Sequence, residues 1–462
     1  MSIALTTAAA QPGAPALPSP RLRDLAHIPG DDGWPVLGST LGVLADPLGS
    51  ARRMVERYGP VYRNHVIGTR NIALMGPQAN EFVLFDSERL FSSQLGWDPV
   101  LGRLFPRGLM MLDFDEHRRH RRAMAVAFKT APMQAYLVAL NEGIAARVVQ
   151  WRTQGDGMRV YPAVKQLTLD LAATAFLGGG GGLDMPAVKA AFVAMVAAAV
   201  GVVRRPLPGT AMRRGVRGRA AIVAMFSAEI PRRREGDGAD IFSQLCRATH
   251  EDGALMTARE IVDHMSFLMM AAHDTLTSSM TTLLWKLAAH PEWQERLRAE
   301  AQGLGLPPGA PLPYERLHDM PLTEMALKEA MRINPPVPAI PRRAVRAFRF
   351  GGYDIPAGAI VGINPLYTHH MPDIWPDPER FDPLRFTEEA VRARHRYAWV
   401  PFSGGAHMCI GLHFAVMQMK CMAYHLLTQC ELSLAPGYAP QWRLWPIPQP
   451  KDGLPVRLAW AG

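Results

Sequence analysis

Cys409 stands in the stretch Pro401-Phe402-Ser403-Gly404-Gly405-Ala406-His407-Met408-Cys409-Ile410-Gly411, just before an apolar run that reads as helical from Leu412 to about Cys430. A thiolate at the positive end of a helix dipole is expected to have its pKa lowered. Gly404, Gly405 and Gly411 leave room for backbone N–H groups to approach the sulfur, the kind of hydrogen bond that tunes a sulfur-ligated metal. A lone buried cysteine ahead of an amphipathic helix is more often structural. The order of residues around this one, with Phe402 seven positions before it and His407 two before it, favours chemistry.

Two further places carry reactive side chains. In Phe267-Leu268-Met269-Met270-Ala271-Ala272-His273-Asp274-Thr275 an acid and a hydroxyl interrupt an apolar segment otherwise fit for a core. Burying them is costly unless they are satisfied, which raises the case for function. In Asp113-Phe114-Asp115-Glu116-His117-Arg118-Arg119-His120-Arg121-Arg122, His117 and Arg121 are four apart and share one helix face, where two donors suit an anionic group. Taken alone, such a cluster is more often a solvated helix start.

The pattern Phe-x-x-Gly-x-His-x-Cys-x-Gly over Phe402–Gly411 closely resembles the haem-binding signature of the haem-thiolate monooxygenases, the cytochromes P-450. Ala271-Ala272-His273-Asp274-Thr275 resembles that family's oxygen-activation motif, with Ala272 where a Gly is usual, and His117-x-x-x-Arg121 resembles its propionate-binding helix. Arg342 best matches a second propionate arginine, with Arg343 as the alternative. Glu329-x-x-Arg332, followed by Trp375-Pro376-Asp377-Pro378-Glu379-Arg380-Phe381-Asp382-Pro383-Leu384-Arg385-Phe386, resembles paired motifs in which Glu329, Arg332 and Arg380 would form a structural network behind the cysteine loop.

The resemblance, which runs from about residue 25 to the end, implies a mainly α fold with a small β region. Haem b (iron protoporphyrin IX) would lie between a long central helix and the cysteine-loop helix. Cys409 would be the axial ligand, Phe402 would pack beside the sulfur, and His117, Arg121, Arg342 and His407 would hold the propionates. Asp274 and Thr275 would deliver protons during activation of O2, so that one oxygen atom enters a hydrophobic substrate. A peroxide-driven oxygenase of the same fold and a ligand sensor without turnover are the rival readings. An isoprenoid, a steroid and a fatty acid all remain open as substrates. With no flavin or nicotinamide module visible, electrons are expected from an external donor, a small acidic ferredoxin with its reductase, docking where Arg118, Arg119 and Arg122 lie.

Size and composition set the frame for these sites. At 462 residues, 48% hydrophobic and 20% charged, the chain suits one large enzyme domain with an extensive core. Cys246, Cys409, Cys421 and Cys430 show no paired spacing, which fits a reducing cytoplasm. The net charge of +9 is spread along the chain, and no nucleic-acid recognition motif accompanies the basic clusters at 118–122, 204–219 and 231–234. Residues 1–24, rich in Ala, Pro, Ser and Thr, are expected to be a flexible tail ahead of a single catalytic domain over 25–462. The longest apolar run, 190–203, is shorter than the ~20 residues that span a bilayer, so no transmembrane anchor is expected.

Local signals place the elements. Pro47 to Tyr58 reads as a helix ended by Gly59-Pro60, and Val61–Ile67 with Asn71–Met75 reads as a hairpin. Asn80 to Phe85 reads as helical, and 87–112 as a long irregular apolar segment of the kind that binds ligands. The run 134–177 is helical, Gly178–Gly182 is a linker, and 185–234 forms two helices broken at Pro206-Leu207-Pro208-Gly209. Thr257-x-x-Glu260 is a capping box that opens a helix of roughly 33 residues, about 50 Å long. Val337, Ala339 and Ile340, and the loop from Trp445 to Pro455, would line the substrate pocket.

Overall fold

Pro47 in the first turn and Gly59 at φ 83° bracket the helix α1 (Pro47–Tyr58), whose N-terminus is capped by the Asp46 carboxylate accepting from the Gly49 N–H. The computed structural model describes residues 17–460 apart from 36, 67, 154–156 and 202. Six short strands form one sheet: β1 (Gly30–Asp31), β2 (Val61–Val66), β3 (Thr69–Leu74), β4 (Phe91–Ser92), β5 (Ile340–Ala344) and β6 (Ile360–Ile363), in the order β1-β2-β3-β6-β5-β4. The expected hairpin is β2 and β3, antiparallel with Val61 opposite Leu74.

The rest of the molecule is mostly helical. Those that concern the site are α2 (Pro77–Phe85), α3 (Ser93–Leu101), α4 (Phe114–Met124), α5 (Thr130–Thr153), α6 (Val160–Leu177), α7 (Met185–Ala199), α8 (Ala211–Glu235), α9 (Ala258–Ala289), α10 (Pro321–Ile333) and α11 (Leu412–Leu427). The capping box forms as read: Thr257 Oγ1 accepts from the Glu260 N–H, and the Glu260 carboxylate from the Thr257 N–H. From that start α9 runs 32 residues through the main core, and most of its side chains are buried. Among the described residues no single helix is long and apolar enough to cross a membrane.

Three expectations change. The segment 87–112 is not irregular throughout, because it contains β4 and all of α3. The glycines at 178–182 form a turn rather than a free linker: Gly178, Gly179, Gly180 and Gly181 all have positive φ and steer the chain out of α6 towards the Asp184 cap of α7. Of the expected tail, residues 1–16 lie outside the described residues. Further on, Leu17 O and Ser19 Oγ accept hydrogen bonds from Arg343 at 2.6 and 3.1 Å, and Leu22–Leu25 form a 3-10 turn.

Candidate active site

The loop that carries Cys409 is folded back on itself. The Cys409 N–H donates to the Phe402 carbonyl at 2.9 Å and the Ser403 N–H to the Val400 carbonyl at 3.0 Å. Gly405, at φ 59°, admits no larger residue, since a Cβ there would lie 1.9 Å from the Leu84 carbonyl oxygen in the last turn of α2. Phe402 meets Trp399 edge to face, with ring centroids 6.2 Å apart.

Cys246, Cys421 and Cys430 are buried, whereas Cys409 alone keeps exposed surface. That surface is turned inward, because burial is the main influence on the thiol and raises its pKa. The Gly411 N–H bonded to the sulfur, and the Arg121 guanidinium, pull the other way. The lowering expected at the helix mouth is thus corrected, since desolvation outweighs both. A thiolate at this depth needs a stronger positive partner, and a metal ion is one.

Two imidazoles and two guanidiniums converge beside this loop. His117, 2% exposed, stacks on His407 with ring centroids 4.0 Å apart. Burial, then the charges of nearby arginines, pushes His117 down to about 4 and His407 down to about 2. Arg342 is also buried, which pulls its guanidinium down to about 10. Its hydrogen bond within the protein is to the Pro341 carbonyl at 2.9 Å, and Asp113 and Asp86 act on it only at a distance. Among the described residues no carboxylate is within ion-pair range of His117, Arg121, Arg342 or His407. Buried charges are normally paired. Two guanidiniums left without a protein counter-ion, with two neutral imidazoles beside them as N–H donors, fit the two propionates of haem.

Strand alternation separates Arg342 from Arg343. Along β5 burial alternates, so Arg342 turns towards His117 and His407 while Arg343 turns to the opposite face and binds Leu17 and Ser19. Helix α3 presses directly on this point, where a Cβ at Gly96 would lie 2.7 Å from the Arg342 Cα.

Across from the cysteine loop, α9 is buried from Ile261 to Met269 and again from Leu276 to Leu284, but Met270, Ala271, Ala272, Asp274 and Thr275 are only partly buried. The break in burial coincides with the acid and the hydroxyl. Thr275 Oγ1 donates to the Ala271 carbonyl at 2.7 Å, the back-bond expected to loosen a helix, yet α9 continues unbroken with Ala272 in place. Asp274 pairs with Lys165 of α6 at 2.9 Å. His273 packs against α6, with Nδ1 3.1 Å from Thr168 Oγ1 and Nε2 3.7 Å from Asp274 Oδ1, and Thr168 itself bonds Thr277 at 2.8 Å.

The cytochrome P-450 family model matches residues 28–446. The chain belongs to the cytochrome P-450 family. It is a monooxygenase, an oxidoreductase of a family that uses haem, and its fold is the cytochrome P-450 fold. It is 38% identical to a putative cytochrome P-450 136 of Mycobacterium tuberculosis over 94% of this chain and 89% of that protein. It is 28% identical to an abscisic acid 8'-hydroxylase 2 of Oryza sativa subsp. indica over 93% and 86% of the two chains. The structure of a retinoic acid-bound cyanobacterial CYP120A1 superposes with a TM-score of 0.85 at 30% identity, covering 96% of this chain and all 100% of that one.

In this cytochrome P-450 the support behind the cysteine loop differs from expectation in one member. Glu329 and Arg332, both fully buried on α10, pair through two hydrogen bonds of 2.6 and 2.8 Å. Arg380 gives the network only its backbone carbonyl, 3.3 Å from Arg332, and its side chain is exposed. The third charged side chain is Arg385, whose Nε lies 3.5 Å from Glu329. Arg332 also donates to the His369 carbonyl at 2.9 Å, and His369 Nε2 accepts the Val400 N–H at 2.9 Å. Glu329, Arg332 and His369 therefore hold the first residue of the turn that leads to Cys409. Sequence reading missed Arg385, Lys165 and His369. The Pro-Leu-Arg385-Phe ending of the motif was the available signal for the first, and no local signal marks the other two.

Proposed function

We propose that Cys409 is the axial thiolate of haem b lying between α9 and α11, with His117, Arg121, Arg342 and His407 on its propionates and Phe402 beside the sulfur. The observation that carries this reading is two guanidiniums, Arg121 and Arg342, with no protein anion and two neutral imidazoles, His117 and His407, beside them, gathered around the one cysteine that keeps exposed surface. Bound haem with a thiolate behind it supplies reductive activation of dioxygen and insertion of one oxygen atom into a substrate, the other leaving as water.

The protein's own contribution is positional and protonic. The Gly411 N–H and Arg121 moderate the charge on the sulfur. Thr275 Oγ1 presents a hydroxyl at the break in burial while donating to Ala271, and Asp274 stands next to it on the path to Lys165, whose ammonium is half exposed. Protons move inward from solvent through the Asp274 carboxylate, which Lys165 holds in place, to the Thr275 hydroxyl. Apolar cover from Phe267, Leu268 and Met269 keeps bulk water from the remaining faces.

The substrate is a hydrophobic molecule of isoprenoid origin, hydroxylated or epoxidised. Two relatives support this: the bound retinoic acid of the cyanobacterial structure and the abscisic acid of the rice hydroxylase are both isoprenoids. Electrons come from a ferredoxin with its reductase, docking on the Cys409 side. Arg118, Arg119 and Arg122 are exposed there, although each already has an acidic neighbour, Asp115, Glu260 and Glu251. The carbon-monoxide difference spectrum tests the core of the reading. Wild type should give the band of a thiolate-ligated haem, and Cys409→Ala should lose it. An unchanged band in Cys409→Ala would overturn the assignment. Product formation from retinoic acid, abscisic acid, a steroid and a fatty acid, with reductant and O2, decides the substrate class.

A further inference from the structure

We propose that His273 is a positioning residue for the proton path, its Nε2–H holding Oδ1 of Asp274 from the α9 side so that Oδ2 is left to exchange protons with Thr275. The inference rests on the role given to Asp274 above and assigns a task to a residue that role does not use. Three observations lead there.

The first is what surrounds the acid. Asp274 Oδ1 has two neighbours able to donate, Nζ of Lys165 at 2.9 Å and Nε2 of His273 at 3.7 Å. They come from different helices, α6 and α9 itself, and both address the same oxygen. A carboxylate held at one oxygen from two directions keeps a fixed plane, whereas one held by the partly exposed Lys165 alone can swing with that flexible stem. The His273 contact is longer than a hydrogen bond, so its weight is that of a nearby N–H dipole in a site shielded from water.

The second observation is how little else His273 has to do. It is 4% exposed, and its ring meets Phe192 of α7 edge to face with centroids 6.4 Å apart. A histidine so deeply placed is usually a core residue with both nitrogens satisfied. Here Nδ1 lies 3.1 Å from Thr168 Oγ1, but that hydroxyl has two other partners, the Lys165 carbonyl at 3.1 Å and Thr277 Oγ1 at 2.8 Å. Thr277 Oγ1 in turn donates to the His273 carbonyl at 2.9 Å. The two threonines therefore join α6 to α9 without the imidazole. Among the described residues the one ion-pair partner of Nε2 is Asp274.

The third observation is the tautomer that these contacts require. Burial is the main influence on the ring and lowers its pKa, the Asp274 charge raising it and Lys165 lowering it again. A neutral imidazole donates from one nitrogen and accepts at the other, whereas an ionised carboxylate only accepts. The hydrogen therefore belongs on Nε2, and Nδ1 accepts from the Thr168 hydroxyl. In the opposite tautomer two lone pairs would face each other across the 3.7 Å gap.

Nitrogen NMR of the full-length haem-loaded protein, with isotope-labelled histidine and carbon monoxide bound, tests the tautomer directly. The ring signal that disappears in His273→Gln should be that of a neutral imidazole with its hydrogen on Nε2. A hydrogen on Nδ1 alone would overturn the proposal.

Hydrogen peroxide released per reductant oxidised, with a ferredoxin, its reductase and O2, reads the proton path without a known product. Each O2 that leaves as peroxide has taken up two electrons and two protons and was not carried on to water. A Gln side chain places an amide N–H where Nε2 was, and Asn places one where Nδ1 was. His273→Phe and His273→Asn should raise peroxide per reductant about threefold, the lower end of what one hydrogen bond contributes. His273→Gln should stay near wild type. The carbon-monoxide band and the melting temperature show which variants are folded with haem in place. A merely structural histidine would leave peroxide release equal in all folded variants, or would rank Asn with wild type because its contact with Thr168 is kept, and either result would overturn the proposal. Asp274→Asn separates this role from the one it rests on. A rise there with none in folded His273→Phe removes the role of His273 alone, whereas no rise in either removes that of Asp274 as well.

Discussion

Nζ of Lys165 on α6 lies 2.9 Å from Oδ1 of Asp274 on α9. Burial pulls the Lys165 ammonium towards its neutral form, but the Asp274 charge and Tyr161 more than offset this, and its pKa is raised. The acid beside Thr275 is therefore held by a cation on a second helix, and Lys165 positions it rather than reacting.

Replacing that cation should loosen the proton path without touching the pigment. Lys165→Met is expected to keep the carbon-monoxide band of wild type while lowering product formed per reductant consumed several-fold. Asp274→Asn should do the same and slow turnover by about a hundredfold, the usual weight of a positioned acid. The ratio of product to reductant oxidised, measured alongside the spectrum, checks both. A Lys165→Met enzyme as tightly coupled as wild type would show the contact to be structural only.

Arg342 and Arg343 are neighbours on β5 with opposite fates. Arg342→Gln removes a buried charge-assisted donor, worth about 1.5–3 kcal/mol when its acceptor is present. Haem affinity should fall by about ten- to a hundredfold, read by transfer of haem to an apo-globin trap. Arg343→Gln, which loses only its bonds to Leu17 and Ser19, should retain haem as wild type does.

The buried carboxylate of Glu329 separates two arginines of a single motif. Arg385→Ala withdraws a partner from a charge with no solvent access, and should cost about 2–4 kcal/mol in urea unfolding of the holoprotein. Arg380→Ala, at an exposed position, should stay within about 0.5 kcal/mol of wild type.

Acid should unfold the protein partly through His264, which lies wholly inside the core with Nε2 2.8 Å from His120 Nδ1. Burial holds the folded ring down to about 3. In the unfolded chain it binds a proton near pH ~6.5. The folded pKa is the lower one, so the unfolded state gains protons first as pH falls. Stability present above ~6.5 is therefore lost progressively towards pH ~3. The melting temperature should drop along this limb, and His264→Leu should make the drop shallower, though it starts lower because His120 loses a partner.

Much of this was legible because the signals were local. The proline and glycine that bracket α1, the hairpin at β2 and β3, and the Thr257–Glu260 capping box each lie within a few residues of what they determine. Helix α3 was hidden for the opposite reason. It carries Gly96 and Pro99, which argue against a helix, and the glycine is needed only because the Arg342 backbone passes 2.7 Å from where a Cβ would be. Arg380 and Arg385 occupy one motif, and only the tertiary path past Glu329 separates them. Lys165 is more than a hundred residues from Asp274, so nothing beside either residue announces the pair. The direction of the Cys409 shift was misjudged because a helix dipole can be read from sequence, whereas depth cannot.

The contact between Gly405 and Leu84 has a bearing on how the enzyme is made. Its two sides are more than three hundred residues apart along the chain. The cradle for the pigment consequently has no half-built form that a growing chain could use. Capture of the prosthetic group must wait until both segments have been made and have folded together.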